Sequence, residues 1–256
     1  MIPYLTSDAL TKIPHVKHGF FTRVGGESTG CYATLNTSLK KGDDPRCVYA
    51  NRHSICKVFG LSIENLGLVS QEHTNTARFI TEPFPRDAIP VGDALVTTTK
   101  NLLIGMKTAD CVPILLADKT QPIVAAAHAG WRGAVGGVIE NTIQLMQEKG
   151  AQPENIVAAL GPCIWQQSYD VDQRFVDNLK DDARSFIHKT QSGTHHFDLP
   201  GYVTDRLNKL GVAAVSPSPA DTFSDSERFF SFRHKTTTNA ADFGNQLSVI
   251  CTTIQT

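Results

Sequence analysis

From Gly92 to Gly133 the chain is a succession of short apolar runs with little between them, and this stretch restricts the fold more than any other. Runs of this length, bounded by turn residues, suit buried strands better than helices. Three strands are expected here, and two of them end in reactive side chains. One leads through Thr108, Ala109 and Asp110 into Cys111; another, over 123–127, delivers His128 at its end, followed by Ala129-Gly130-Trp131-Arg132-Gly133. An earlier apolar run, starting at Leu68, closes in the same way on His73. Side chains at strand ends are held on a stiff frame while facing a cleft. His73, Cys111 and His128 are therefore expected to converge on one divalent metal.

Neutral imidazole and thiolate both suit zinc, and a His₂Cys set leaves a fourth position for a reactant. The three residues are 38 and 17 positions apart, so this is no finger or knuckle with closely paired ligands. Other readings of the same residues stay open. They can be ordinary core and loop side chains. Cys111 can be a nucleophile with His73 or His128 as its base, without a metal. Copper replaces zinc if Met106 acts as a weak axial ligand, although Met106 on an apparent strand also reads as core. A closed four-ligand site would instead make this a non-enzymatic zinc-stabilised binding protein. Cys163 reads as a buried thiol, and His195-His196 as part of a solvated loop.

A chain of 256 residues, 41% apolar and 19% charged, can bury a proper core. Its formal net charge of −1 gives no reason to expect a nucleic acid or an anionic membrane as partner. No apolar run approaches the roughly 20 residues that span a bilayer, and the first residues lack the layout of a secretion signal. The six cysteines are scattered and read as free thiols. A cytoplasmic monomer acting on small molecules is the expectation.

Along the chain, 15–22 reads as a strand leading into a glycine-rich turn, Arg23 to Gly30, which ends near Leu35-Asn36. Asp44-Pro45 starts a helix over 46–59. Arg52 falls on its apolar stripe and needs a partner there, either a structural ion pair or the glycine-rich turn and its ligand. Pro83 to Pro90 is a loop within one sheet system. An amphipathic helix is predicted from Val135 to Gly150, its N-terminus beside His128 and suited to an anion. Strands are predicted over 156–160, 212–215 and 247–252, helices over 170–181 and 200–210, and an irregular segment over 182–198. There is no internal repeat. The expectation is a single α/β domain over 1–256.

Several blocks recur together in a known order: Arg23-x-Gly25-Gly26-x-Ser28-x-Gly30 with Leu35-Asn36, Asn51-Arg52, Gln71-x-His73, Gly92-Asp93-Ala94, Thr108-Ala109-Asp110-Cys111-x-Pro113, His128-Ala129-Gly130-Trp131-Arg132-Gly133, Gly161-Pro162-x-Ile164 and Phe230-Ser231-x-Arg233. In this the chain resembles the YfiH family, also called laccase-domain or polyphenol oxidase proteins. Members are described as purine nucleoside phosphorylases and include the bacterial peptidoglycan editing factor. The resemblance implies an α/β sandwich with a mixed sheet, grouped with bacterial cysteine-hydrolase-like toxins. It also implies zinc on His73, Cys111 and His128. Two departures stand out. Gln71-Glu72-His73-Thr74 replaces the usual Gln-Val-His-Gly, and the family's later Thr-Gly-Arg is missing after Arg233.

The activities implied are phosphorolysis of adenosine, inosine, guanosine and S-methyl-5′-thioadenosine, and deamination of adenosine. Zinc suits deamination directly, because it brings the pKa of its water towards about 7. Asp110, next to Cys111, is the candidate proton shuttle or an orienting neighbour. Phosphorolysis needs a held phosphate, for which Arg23, Arg52 and Arg233 are candidates, with Asn36 beside them and Arg132 less favoured. The cell-wall connection implies an alternative, removal of L-serine from UDP-MurNAc-L-Ser by zinc-assisted or Cys-His hydrolysis. The copper polyphenol oxidase reading ranks last.

Overall fold

The computed structural model describes residues 2–254, so residues 1, 255 and 256 of the expected 1–256 unit lie outside the described residues. Two sheets pack face to face. One has five strands, in the order Tyr4–Leu5, Val16–Phe21, Gln246–Thr252, Leu103–Thr108 and Leu66–Gly67. The other has six, in the order Ala214–Pro217, Ile156–Leu160, Val112–Asp118, Val124–Ala129, Ala94–Thr97 and Ala77–Phe79. Both are mixed: a parallel pair lies at each edge of the larger sheet and at one edge of the smaller. The remaining pairs within them are antiparallel.

Side-chain alternation explains the layers. Along Val112–Asp118 every residue is buried, because successive side chains enter different cores. Leu115 and Ala117 meet Phe20, Ile104, Met106 and Ile250 of the smaller sheet in the inter-sheet core. Val112, Ile114 and Leu116 point the other way, against Ile139, Ile143 and Met146 of helix Val138–Glu148 and Val203 and Leu207 of helix Leu199–Lys209. The outer face of the smaller sheet presents Leu103, Leu247 and Val249 to Ile55 and Cys56 of helix Pro45–Val58. The result is a sandwich of helix, sheet, sheet and helices. Each fully buried Leu or Ile in it contributes roughly 2 kcal/mol of transfer free energy. Met106 belongs to the inter-sheet core rather than to an axial metal position.

Most predicted elements appear within a residue or two, and the departures have local causes. Asp44 caps Pro45–Val58 by accepting from Arg46 N at 2.8 Å. The single helix predicted over 135–150 is two, Trp131–Gly136 and Val138–Glu148, because Gly137 at φ +100° ends the first in the left-handed region. The helix predicted over 170–181 is replaced by the strand Asp170–Val171 and the short helices Gln173–Asp177 and Asp181–Arg184. The supposedly irregular 182–198 contains the hairpin Ile187–Lys189 and His195–Phe197, which completes a small third sheet with Asp170–Val171. All six cysteines are free thiols. Among the described residues no helix is long and apolar enough to cross a membrane.

Candidate metal centre and its cavity

The crossing from one sheet to the other makes the site. Leu103–Thr108 lies in the five-stranded sheet and Val112–Asp118 in the six-stranded one, so 109–111 must turn sharply between them. Asp110 makes that turn at φ +87°, unusual for a residue with a side chain. Three distant segments hold it there. Its Oδ1 accepts from Thr222 Oγ1 at 2.7 Å, its Oδ2 from Arg233 N at 2.6 Å, and its carbonyl from Ile164 N at 2.9 Å. Burial raises its pKa above the ordinary carboxylate value against these hydrogen bonds. Both carboxylate oxygens are thus engaged in holding the turn that presents Cys111, a positioning arrangement.

His128 is inside strand Val124–Ala129 rather than after its end, directly opposite Pro113 of the neighbouring strand. His73 is not at a strand end at all. The strand before it stops at Gly67, and His73 sits in a loop at φ +59°. What brings the two imidazoles together is Asp93, just before strand Ala94–Thr97. Asp93 Oδ1 is 2.8 Å from His128 Nδ1 and accepts from His73 N at 3.1 Å, while Oδ2 accepts from Thr74 N and Thr74 Oγ1, each at 2.7 Å. Burial works against the charge on Asp93, but the hydrogen bonds from His128 and Thr74 outweigh it and bring the pKa down to about 2.

Cys111 Sγ is 3.6 Å from His73 Nε2, and the rings of His73 and His128 are 4.8 Å apart at an interplanar angle of 70°. One donor atom from each of the three residues lies within 4.8 Å of the other two. Zinc bonds of about 2.0–2.3 Å place tetrahedral ligand atoms roughly 3.5 Å apart. The Cys111–His73 separation is already that short, and only a small contraction is needed for the rest. With Nδ1 of His128 facing a carboxylate, its Nε2 lone pair is left for a metal, the usual arrangement around ligating histidines. Gly130 leaves the space open: a Cβ there would come within 2.5 Å of His73 Cδ2 and 2.9 Å of Cys111 Sγ. The residues therefore fit a metal. Although burial opposes it, the proximity of His128 and His73 draws the Cys111 thiol below its ordinary pKa, towards the thiolate that ligation or nucleophilic attack requires.

The trio opens into a cavity of about 790 Å³. One wall is aromatic, with Trp131 packed on Phe175 at 4.8 Å between ring centroids and Tyr169 beside Phe175 at 6.1 Å. Lys40, Lys41 and Lys107 also line the cavity, Lys41 over the Phe243 ring, with Arg132 over Trp131 and Arg233 over Tyr169.

Of the phosphate candidates read from the sequence, Arg233 and the less favoured Arg132 line this cavity, and Arg233 is tied to Asp170 by Nη1–Oδ1 at 2.6 Å and Nη2–O at 2.8 Å. Arg23, Arg52 and Asn36 are not among the residues that line it. Arg23 donates to the carbonyls of Ala33 and Ser226 at 2.8 and 2.9 Å and lies over the Phe230 ring. Arg52 directs Nε and Nη2 to the Thr37 carbonyl at 2.9 and 2.7 Å and forms no ion pair among the described residues. Asn36 bridges Asp43, Ser38 and Asn245. The glycine-rich turn is ordered by Asn51, whose Oδ1 accepts from Glu27 N at 2.8 Å and whose Nδ2 donates to Ser28 Oγ and to the Thr34 and Asn36 carbonyls. These side chains satisfy backbone groups that a glycine-rich loop leaves without partners. Cys163 is buried, and His196 Nδ1 donates to the Gln166 carbonyl at 2.9 Å.

Sequence reasoning assigned no role to Asp93 or Lys107. Signals existed for both: an acidic residue at the entrance to a largely apolar strand, and a lysine within another.

A two-sheet α/β sandwich with one His-Cys-His pocket at the sheet crossing is the class these features define. The family described as multi-copper polyphenol oxidoreductase laccase matches residues 17–253. A Corynebacterium glutamicum protein named purine nucleoside phosphorylase is 35% identical over 92% of this chain and 94% of its own length. The crystal structure of YlmD from Geobacillus stearothermophilus aligns with a TM-score of 0.86 at 28% identity, covering 98% of this chain and 99% of that one. YfiH from Bacillus licheniformis aligns with a TM-score of 0.87 at 25% identity over 98% and 97%. The chain belongs to this laccase-domain, or YfiH, family.

Proposed function

We propose that this protein is a zinc-dependent purine nucleoside phosphorylase, acting as a monomeric catalytic unit on adenosine, inosine, guanosine and S-methyl-5′-thioadenosine. The observation that carries the reading is the His73-Cys111-His128 cluster in a cavity lined by aromatic and cationic side chains. The name carried by the C. glutamicum relative supports the same reaction class. Flat aromatic surfaces such as Trp131 and Tyr169 suit a purine face, and the ammonium groups of the lining suit phosphate. A zinc ion held by the three would supply Lewis-acid polarisation of a substrate atom. Asp93 would keep the proton on His128 Nδ1 and the ring in register, while Asp110 would hold the Cys111 turn. Zinc is favoured over copper because the donors are two imidazoles and a thiolate without Met106. The described residues bring together one such donor group, and multicopper chemistry needs several.

Adenosine deamination would use the same ion and is the second activity of this reading. The contact between Cys111 and His73 also supports an amidase reading, release of L-serine from UDP-MurNAc-L-Ser. The test is incubation of zinc-loaded protein with adenosine, with and without phosphate. Phosphate-dependent adenine is the expected product, and inosine would report deamination. Neither product would remove both nucleoside activities and leave amide hydrolysis. His128→Ala should abolish zinc binding and turnover together; turnover surviving without metal would transfer the chemistry to Cys111.

A further inference from the structure

Lys107 differs from the other lysines around the cavity and from Arg233, while Arg132 lies over the Trp131 ring. Lys40 pairs with Glu72, Lys41 with Asp242 at 3.8 Å, and Arg233 with Asp170. Lys107 forms no ion pair among the described residues; its Nζ donates to the Val69 carbonyl at 3.1 Å, which answers one of its three donors. Its position is fixed. The strand Leu103–Thr108 pairs with Gln246–Thr252, Lys107 lying opposite Leu247, and the Gln71 amide grips its backbone from the other side at 2.7 and 2.9 Å. Arg52 and Lys40 act against its charge and Asp93 in favour of it, with the two cations ahead of the carboxylate. Burial first, and these two cations second, bring the ammonium down to a pKa of about 7. Crowded cations of this kind cost stability, and facing a cavity they attract an anion instead.

We propose that Lys107, with Lys40 beside it, forms the oxyanion subsite of the cavity and binds the inorganic phosphate that the nucleoside reaction consumes. The identity of the anion rests on the phosphorylase reading; the subsite itself rests on the unpaired Lys107. Phosphate held there acts as the nucleophile. One of its oxygens bonds to C1′ of the ribose as the C1′–N9 bond breaks, the bonding pair leaves with the purine, and the proton of hydrogen phosphate ends on a purine nitrogen. Lys107 touches phosphate alone in this scheme, so its loss acts on phosphate and not on the nucleoside.

The experiment uses zinc-loaded Lys107→Met and Lys107→Arg. Phosphate is varied at saturating nucleoside, and inorganic phosphate binding without nucleoside is measured by calorimetry. Lys107→Met should raise the phosphate KM at least tenfold, leave the nucleoside KM within twofold, and abolish the calorimetric signal, and Lys107→Arg should restore part of the affinity. An unchanged phosphate KM and binding isotherm in folded Lys107→Met would overturn the subsite. If the wild-type protein shows no phosphorolysis, the phosphorylase reading fails and calorimetry still decides the subsite: binding lost in Lys107→Met upholds it, and a wild-type protein that binds no phosphate overturns it. Should Lys107→Met not fold, Lys40→Ala should weaken phosphate binding severalfold, and unchanged binding would overturn the proposal.

Discussion

Asp93 and His128 meet twice: the Asp93 carboxylate lies 2.8 Å from His128 Nδ1, and the Asp93 carbonyl accepts from His128 N at 2.7 Å. The same carboxylate collects the backbone N–H groups of Glu72, His73 and Thr74 at 3.2, 3.1 and 2.7 Å. One buried side chain thus sets the orientation of one imidazole and the loop that carries the other.

Asp93→Asn keeps the shape but removes the charge and part of the accepting capacity. Zinc affinity should fall about 10- to 100-fold, measured by competition with a coloured chelator. Affinity equal to that of the wild type would show that strand pairing alone orients His128.

Gly130→Ala places a methyl within 2.5 Å of His73 Cδ2 and 2.9 Å of Cys111 Sγ. His73 is exposed and can move aside, so the fold should survive while the donor set opens. Metal content after dialysis should drop more than tenfold, with Tm changed by a few degrees at most. Normal metal content would mean that the trio adapts around a Cβ.

Arg23→Met removes two hydrogen bonds to the Ala33 and Ser226 carbonyls and the contact over Phe230. Urea unfolding should show a loss of about 1–3 kcal/mol, and the phosphate KM should stay within twofold. A raised phosphate KM at unchanged stability would return Arg23 to the binding machinery.

His18 Nε2 accepts from Ser7 N at 2.8 Å, and burial lowers its pKa from 6.5 to about 4. Between those values the unfolded chain takes up a proton that the native protein does not. Stability is therefore full above pH 6.5, declines as pH falls, and levels off near 4, with a slope of at most about 1.4 kcal/mol per pH unit from this group. Urea midpoints from pH 4 to 7.5 should be less pH-dependent in His18→Gln. An identical profile would assign the dependence to other groups.

The residue patterns carried the sheet strands and the long helices. An uninterrupted apolar run such as Val112 to Ala117 has few conformations that bury every side chain, and Asp44-Pro45 caps whatever helix follows it. His73, Cys111 and His128 were also readable as a set, although their placement at strand ends held for none of the three as drawn. The arginines misled for a physical reason. Arg23 and Arg52 have the chemistry of phosphate ligands, but a glycine-rich loop leaves carbonyls without partners, and guanidinium forks satisfy those equally well.

The amino-acid order by itself determined the long strands and most of the helices, and singled out two imidazoles and a thiol as a set, because periodicity and capping act over a few residues. Only the tertiary structure decided that 109–111 crosses between two sheets and that Asp93 joins His73 to His128. It alone placed Lys107 in the cavity lining without a carboxylate partner among the described residues. These relationships join residues dozens of positions apart, and their energies depend on burial and on which groups face one another, quantities that exist only once the sheets have closed over their common core.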